Sequence, residues 1–285
     1  MTEAPGGSER TGPDPATLRR LGARRNGPAA VRTLILLAWF GVLAAVTARL
    51  GAQGNPLAWA SAALCALAVI GFFPMMHEAG HGTAFASPGR NRACSWIGAL
   101  FMLQAPTFFR EFHLAHHRWP QAPELDPEIA SAPSLLDGFP SDPARYLVVA
   151  SGQPLMGGKL GFSLLCALSP YRLWKRFFPF VSEEKKRRVA WESRGAACVL
   201  AGFAWAGLET VPGFAYVLQA WPLAHLGLGL YLLSEHTGLG HDGSQFQRTR
   251  STRSNPAIRW LMWNKPYHAE HNAYPAIPIP DPVTY

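Results

Sequence analysis

The sequence predicts an all-α integral membrane protein with four transmembrane helices in two hairpins. Two observations predict this class, the low content of charge and the long apolar runs. Charged residues make up 15% of the 285-residue chain and hydrophobic residues 48%, whereas about a quarter of the residues are charged in an average soluble domain. Four runs carry no charged side chain, at residues 33–48, 56–76, 195–208 and 211–233.

The first run follows a basic segment, and together they predict a tail and an anchor. Residues 1–30 are basic and begin with a stretch rich in Pro, Gly and Ser, which is typical of a flexible cytoplasmic tail. Residues 31–285 are expected to form a single membrane domain. The sequence "VTA" before Arg49 resembles the cleavage site of a signal peptide, but the second run follows at once, so we expect the first run to remain as an anchor.

The lengths of the other runs are also typical of transmembrane helices. At 1.5 Å per residue the run 56–76 would span roughly 30 Å, the thickness of a bilayer core. The run 195–208 is shorter and has a ragged start, whereas 211–233 contains one histidine, His225. The alternative is a soluble protein with buried core helices, but uncharged runs near 20 residues favour a membrane.

The positions of Lys and Arg predict the orientation of these helices. They cluster within residues 19–32, 172–194 and 248–265, whereas the connections 51–55 and 209–213 contain none. By the positive-inside rule both termini and the long middle segment are cytoplasmic, and the four helices form two hairpins. The net charge of +8 therefore reflects topology and contact with anionic membrane lipids, and we expect no nucleic-acid partner.

Two further apolar stretches are expected to lie in the membrane interface. If residues 94–109 crossed the bilayer, the histidines that follow would lie on the opposite side from His77, so we expect an interfacial or re-entrant helix. Residues 146–169 are interrupted at Gln153-Pro154 and at Gly157-Gly158-Lys159, which favours a pair of interfacial helices.

Most of the histidines fall in groups with helical spacing. The groups are "HEAGH" (77–81), "HLAHH" (113–117), "SEHTGLGH" (234–241) and "HAEH" (268–271). Spacings of three and four residues place side chains on one helix face, about 5–6 Å apart at Cβ. The four cysteines are scattered and form no CxxC pair, so we expect neither a disulfide framework nor a zinc knuckle. Many imidazoles without cysteine indicate iron, copper or zinc, and their number exceeds what one tetrahedral zinc can use, which suggests two metals.

A zinc metalloprotease is one alternative. "HEAGH" matches the HExxH motif, in which Glu78 would be the general base, and "LLDG" with Asp137 resembles the third-ligand motif of membrane-embedded proteases. This hypothesis leaves the histidines after residue 110 without a role.

The order of the groups resembles the membrane fatty acid desaturase superfamily. HxxxH, HxxHH, a lone EH at the end of a span and HxxH near the C-terminus occur in that order, and "FHLAHHRWPQAPELDPE" and "TRSNPAIRWLMWNKPYHAEHNAYPAIP" are similar to bacterial members. The resemblance covers roughly residues 60–280. It implies four transmembrane helices, a cytoplasmic helical cap and two iron ions that use O2 to oxidise a lipid chain. The implied ligands are His77, His81, His113, His116, His117, His236, His268 and His271.

Further residues are candidates for supporting roles. Carboxylates near a cationic centre can orient ring N–H groups and balance charge, and the candidates are Glu78, Glu235, Glu270 and Asp126. His225 precedes His236 by three helical turns and would lie in the wall of a substrate tunnel or be an ordinary buried histidine. Asn264 and Trp263 would support the last group or serve packing alone.

Asn272 departs from the family pattern, which would have histidine at this position. An amide oxygen is a weaker ligand for iron than imidazole. Three outcomes are open: Asn272 binds weakly or through water, His241 replaces the missing imidazole, or one iron is held poorly. We favour an altered site that still binds metal.

The expected reaction is O2-dependent oxidation of an unactivated C–H bond by two iron ions, with fatty acyl desaturation favoured over hydroxylation. A hydroxylase or ketolase acting on a carotenoid, terpenoid or alkane is the nearest alternative, and a degenerate lipid-binding protein is another because of Asn272. The sequence has no haem, iron–sulfur or dinucleotide motif, so electrons are expected from a separate ferredoxin, rubredoxin or cytochrome. The basic residues 172–188 would dock that donor or contact lipid headgroups. We expect a bacterial inner membrane location with the metal site on the cytoplasmic side.

Overall fold

The computed structural model describes residues 13–136, 138–174 and 177–278. The tail residues 1–12, the candidate protease ligand Asp137 and the basic residues Lys175 and Arg176 lie outside this part of the chain. Regular structure in the described residues is helical, apart from one isolated bridge between Ser251 and Tyr267. The helices are α1 (Pro15–Leu21), α2 (Gly27–Ala52), α3 (Leu57–His81), α4 (Pro88–Phe101), α5 (Pro106–Arg118), α6 (Pro127–Ala130), α7 (Pro133–Leu136), α8 (Pro143–Ala150), α9 (Gln153–Leu168), α10 (Tyr171–Trp174), α11 (Glu183–Thr210), α12 (Phe214–Leu218), α13 (Ala220–His236), α14 (Gln245–Arg248), α15 (Pro256–Leu261) and α16 (His268–Ala273).

Three helical segments of the described chain are long and apolar enough to cross a membrane. They are α2, α3 and the segment Phe214–His236, which consists of α12 and α13. They contain the predicted run 33–48 and nearly all of the runs 56–76 and 211–233, so the prediction of an all-helical chain with long apolar helices is confirmed. The run 195–208 forms the second half of α11, which does not meet the same criterion, and the fourth span therefore stays a prediction.

Helices α2 and α3 pack against each other in antiparallel orientation. Near one end of the pair the Thr33 hydroxyl donates to the sulfur of Met75 at 3.3 Å, and near the other end the hydroxyls of Thr47 and Ser61 share a hydrogen bond at 2.8 Å. Helix α3 is buried along most of its length, whereas α2 exposes large apolar side chains such as Leu34 and Val42. This difference is expected if α3 is central and α2 faces lipid.

The stretch 94–109 does not form a continuous helix. It is divided between α4 and α5, and the chain turns between them at Leu103, whose φ of 60° lies in the left-handed region. The 14 residues of α4 extend only about 21 Å. This is too short for the bilayer core and agrees with the expectation that the stretch does not cross it.

The stretch 146–169 forms the helix pair α8 and α9, with the break at Gly152. This residue has a φ of 67°, and a Cβ atom there would lie 1.6 Å from the carbonyl oxygen of His225. Glycine therefore permits the turn to lie directly against α13. Gly157 and Gly158, which were expected to interrupt the stretch, lie inside α9. The pair packs against α11 and α13, and this tertiary packing supports α9 through its glycines.

The N-terminal part of the described chain is also helical. α1 lies within residues 1–30, and α2 begins at Gly27, so the expected boundary between tail and domain falls inside a helix.

The ends of α3, α5, α13 and the short α16 meet at one place. α3 ends at His81 because Gly82 adopts a left-handed cap with φ 74°. The turn before α16 contains Trp263 and Asn264 at φ 51° and 60°. The backbone N–H of Asn264 donates to the carbonyl oxygen of Arg259 at 2.7 Å. Asparagine tolerates this backbone conformation. Asn264 thus has a structural role in the turn that precedes His268.

Candidate metal centre

Eight histidines converge at the meeting point of these helices, in two groups that could each hold a metal ion. Within each group, the candidate ligand atoms lie within 4.8 Å of one another. The five-histidine group consists of His77, His81, His113, His117 and His271, and the three-histidine group consists of His116, His236 and His268. These are the eight histidines that the sequence singles out as ligands.

Histidines four residues apart on one helix join the same group, whereas those three apart join different groups. His113 and His117 are four residues apart, so they share a face of α5 and join the same group. His116 points to a different side of α5, and its ring centroid lies 5.0 Å from that of His236. The two histidines of α16 also separate, because His268 faces the three-histidine group and His271 the other. Helices α5 and α16 therefore contribute to both groups.

The nitrogen contacts of the five-histidine group fit a metal ion. Its Nε2 atoms approach one another, with distances of 2.9 Å from His113 to His81, 2.8 Å from His117 to His113 and 3.2 Å from His271 to His81. A ring nitrogen offers either one hydrogen or one lone pair in the ring plane. His81 and His113 cannot satisfy two such contacts each by hydrogen bonds, whereas lone pairs that point to a shared cation resolve the conflict.

An unpaired nitrogen of His77, the fifth ring of the group, supports the same fit. Its Nε2 atom is buried and makes no hydrogen bond within the described part of the chain. Buried polar atoms in native proteins are almost always paired. A metal ion would use the free electron pairs of such rings.

Burial also keeps these rings in the neutral form that binds metal. Desolvation, with a smaller contribution from neighbouring cationic groups, lowers the pKa of His117 to about 2 and holds the pKa values of His113 and His271 well below the ordinary range. The pKa of His268 is lowered in the same way by burial, and then by Lys265. Neutral imidazole is the ligand form, so metal binding requires no net release of a proton from these four rings at pH 7.

In the three-histidine group, hydrogen bonds at Nδ1 hold two of the rings. The Nδ1 atom of His116 lies 3.0 and 3.1 Å from the carboxylate oxygens of Asp126, which is completely buried and also accepts a hydrogen bond from the Gln121 amide at 2.7 Å. His236 donates from Nδ1 to the carbonyl oxygen of Arg248 at 2.8 Å. Such partners fix the tautomer and leave Nε2 free for a metal.

Carboxylates make the charge of His116 different from that of the other ligands. Burial alone would lower the pKa of this ring, but Glu128, at 3.6 Å, and Asp126 outweigh the burial and raise the pKa to about 9. A metal that binds this ring at neutral pH therefore has to displace a proton.

Lys265 is a residue of the site that the sequence interpretation missed, because it was counted among the topological charges. Its side chain is 2% exposed, and its Nζ lies 2.5 Å from Oε1 of Glu235 and 3.3 Å from Nδ1 of His268. The other oxygen of Glu235 lies 3.5 Å from Nε2 of His268. A lysine in the apolar stretch "RWLMWNKPYH" was the available signal, since lysine is rarely buried without a partner.

The other candidate carboxylates differ in their surroundings. Glu78 is buried, accepts a hydrogen bond from the Thr83 hydroxyl at 2.7 Å and lies 3.4 Å from Nδ1 of His77. Glu270 is exposed and accepts a hydrogen bond from the hydroxyl of Ser251. Glu78 is therefore placed to orient a ligand ring, whereas Glu270 stabilises the start of α16.

Asn272 lies on the side of the three-histidine group, because it follows His268 by four residues in α16. Its Nδ2 donates to the Thr249 hydroxyl at 3.0 Å, and its Oδ1 is buried without a hydrogen bond from any described residue. His241 is exposed, bonds the carbonyl oxygen of Gln121 through Nδ1 at 2.6 Å and belongs to neither group.

His225 is fully buried in α13. Its Nδ1 bonds the carbonyl oxygen of Trp221 at 2.9 Å, and its Nε2 makes no hydrogen bond to the part of the chain that the structure describes. A role in a substrate tunnel stays a prediction.

A basic cavity of about 340 Å³ opens beside the five-histidine group. It reaches His81, the one member of that group that is partly exposed. Its cationic lining consists of Arg24, Arg92, Arg110, Lys185 and Arg188. Glu111 pairs with Arg110 and Lys185 at 3.0 and 2.9 Å, so the lining keeps an excess of positive charge.

Comparisons with known proteins agree with this geometry. A sequence model described as fatty acid desaturase matches residues 54–281. The human sphingolipid delta(4)-desaturase/C4-monooxygenase DES2 is 29% identical over 211 residues, which cover 71% of this chain and 56% of the relative, and the rat protein of that name is 29% identical over 212 residues with the same coverage. The chain thus spans about half the length of the curated relatives that it matches.

Proposed function

The chain belongs to the fatty acid desaturase family, and from this premise we propose that it is an O2-dependent oxidoreductase that uses two iron ions to oxidise an unactivated C–H bond of a lipid chain. The observation that carries the proposal is the convergence of eight histidines in two adjacent groups. We favour desaturation over hydroxylation. The name of the relatives combines a desaturase with a monooxygenase, so it includes both outcomes.

The residues present fit two iron ions. The five-histidine group would hold one and the three-histidine group the other, and bound iron would supply the activation of O2 that no side chain can provide. The chain itself orients the rings, through Asp126 at His116 and the Arg248 carbonyl at His236. Seven of the eight rings are buried, which limits the access of bulk water to the centre.

The other interpretations of the site have less support. A protease would need one zinc with the two histidines of "HEAGH", but these belong to a group of five. A hydroxylase or ketolase of a carotenoid, terpenoid or alkane stays an alternative within the same chemistry. A degenerate lipid-binding protein is supported by Asn272 alone, whereas the eight histidines are all in place.

We propose that α11 is the fourth transmembrane helix and that both hairpins enter the membrane. α3 and α13 both end at the histidines, so the chain has to return between them. The first turns of α11 lie at the basic cavity, where Lys185 contacts Glu111, and its last turns pack on α12, where Phe203 meets Phe214 at 5.2 Å. Its 28 residues extend about 42 Å.

The exposed aromatic residues of α11 support this proposal. Trp191 and Trp205 are 70% and 69% exposed, and Trp191 precedes the apolar run 195–208 whereas Trp205 lies near its end. Tryptophan is enriched at both faces of a bilayer. By the positive-inside rule, the histidines and the cap built from α4 to α10 then lie on the cytoplasmic side.

The substrate is proposed to be a membrane lipid with a long aliphatic chain. The relatives carry names of sphingolipid enzymes, and a sphingoid or fatty acyl chain offers the C–H bonds that this chemistry requires. The relatives reported above are mammalian and do not bear on a bacterial location. A bacterial inner membrane therefore stays a prediction from the sequence.

A separate donor is proposed to deliver electrons at the basic cavity. A ferredoxin, rubredoxin or cytochrome with an acidic surface is attracted by its excess positive charge. The cavity is open and reaches His81, so electrons that enter there would have a short path to the five-histidine group. The alternative occupant is an anionic lipid headgroup.

Purified protein and lipid analysis together test the proposed function. We expect about two irons per chain by elemental analysis, and unsaturated or hydroxylated lipids in a host that expresses the protein but not in one that expresses His113→Ala. One zinc per chain, or an unchanged lipid profile with a matching donor and bound iron, would contradict the proposal.

A further inference from the structure

The surroundings of His268 point to a residue that controls metal binding in the three-histidine group. His268 is the only one of these rings whose Nδ1 faces a cation within the described chain, because Lys265 Nζ lies 3.3 Å away. The rings of His116 and His236 instead meet oxygen acceptors at Nδ1. The three ligands are therefore not equivalent.

The contact with Lys265 determines which nitrogen of His268 carries the proton. An ammonium group only donates hydrogen bonds, so Nδ1 of His268 has to present its lone pair to Lys265. The ring proton then resides on Nε2. This nitrogen lies 3.2 Å from Nε2 of His236, which is a lone-pair acceptor because His236 donates from Nδ1 to Arg248.

Glu235 holds this arrangement in place. Its Oε1 pairs with Lys265 at 2.5 Å, and its Oε2 lies 3.5 Å from the protonated Nε2 of His268. Phe73 and Tyr231 enclose the ammonium group, with ring centroids 5.5 and 5.9 Å from Nζ. The buried ion pair thus fixes both the position of the lysine and the tautomer of the histidine.

We propose that Lys265 is a positioning residue that makes the two metal positions unequal. It holds His268 in the tautomer that cannot bind metal through Nε2, and it neutralises the carboxylate that would otherwise attract a cation. The three-histidine group therefore binds metal more weakly than the five-histidine group, and its loading requires the contact between Lys265 and His268 to break. The inference rests on the metal centre of the proposed function.

The absence of a fourth imidazole acts in the same direction. Asn272 offers only an amide oxygen on the face of α16 that carries His268. The five-histidine group has no lysine within hydrogen-bond distance of its ring nitrogens among the described residues.

The test is a titration of the metal-free full chain in detergent with Co²⁺ in the presence of a competing chelator. Visible absorption reports the coordination of each ion, and elemental analysis reports the stoichiometry. For the wild type we expect one tight and one weaker site, and for Lys265→Met a weaker site strengthened by at least about tenfold, the range seen when groups around metal ligands are changed. Lys265→Arg should keep the weak site.

Two further variants make the result decisive. Lys186→Met removes a buried lysine that pairs with Glu183 on α11 and should leave both affinities unchanged. The double variant Lys265→Met/Glu235→Gln avoids an unpaired buried carboxylate and should still strengthen the second site, because Nδ1 of His268 is released. The tight site of each variant serves as an internal measure of correct folding.

Three results would overturn the inference. Two equally tight sites in the wild type would contradict the inequality but leave the proposed function standing. A second site that is unchanged or weaker in Lys265→Met and in Lys265→Met/Glu235→Gln, with an intact tight site, would remove the role of the lysine. Failure of every protein to bind metal would overturn the metal centre and the proposed function together.

Discussion

The two histidine groups use the same ligand but have different surroundings. In the five-histidine group the imidazoles pack against one another and their Nε2 atoms converge, so that hydrogen bonds cannot satisfy them. In the three-histidine group Asp126, Lys265 and Glu235 contact the rings, and Asn272 lies on the same helix face as His268. The groups around each ring influence its tautomer and charge, so we expect the two groups to differ in metal affinity although they use the same ligand.

The largest expected effect comes from breaking the five-histidine group. His113→Ala removes a ring whose Nε2 contacts both His81 and His117. We expect activity to fall to background, by at least about 10³-fold, since the removed ligand supports the chemistry itself. Product analysis with a reconstituted donor and elemental analysis measure the loss. His241→Ala is the matched control and should keep full activity and metal content, because His241 lies outside both groups.

A change at Asp126 tests the three-histidine group separately. Asp126→Asn weakens the acceptor of the His116 ring, and we expect the affinity of the weaker metal site to fall by about 10–100-fold while the tight site is unchanged. Chelator competition measures both sites. Glu124→Gln removes a nearby exposed carboxylate and should change neither affinity. Equal weakening of both sites by Asp126→Asn would contradict the separation of the two groups.

The pH dependence of metal binding should also differ between the groups. His116 has a pKa raised to about 9, so below that pH a metal has to displace its proton, and affinity should rise roughly tenfold per unit from pH 7 to 8. His113, His117 and His271 have lowered pKa values and are already neutral, so the tight site should change little. Co²⁺ titrations at several pH values measure this, and parallel slopes for both sites would argue against it.

The smallest effect is expected at Asn272. Asn272→His restores an imidazole beside the three-histidine group, and we expect the weaker site to strengthen by a factor of about three to ten, since the buried site also has to accommodate a larger ring. Ala257→His on the exposed face of α15 adds a histidine outside both groups and should have no effect. A fall in metal content for Asn272→His alone would indicate that the amide is required as it stands.

Much of the fold could be predicted from local patterns. Three helices long and apolar enough to cross a membrane follow from apolar length, and α4 is short, as expected for a stretch that does not cross the bilayer. The positions of the helix breaks could be predicted less well than the helices themselves. Gly152 interrupts the stretch 146–169 because its backbone lies against His225, whereas Gly157 and Gly158 remain helical within the packed α9.

The sequence by itself determined the helical class, the three apolar helices of membrane length and the eight ligand candidates, because apolar length and helical spacing are local properties of the chain. Only the tertiary structure decided how these histidines divide, since His116 joins His236 and His268 through contacts between residues more than a hundred positions apart. It also decided that Lys265 is buried against Glu235 rather than exposed as a topological charge. The physical reason is that burial and the electrostatic environment of a ring depend on which distant side chains surround it, and no local pattern records them.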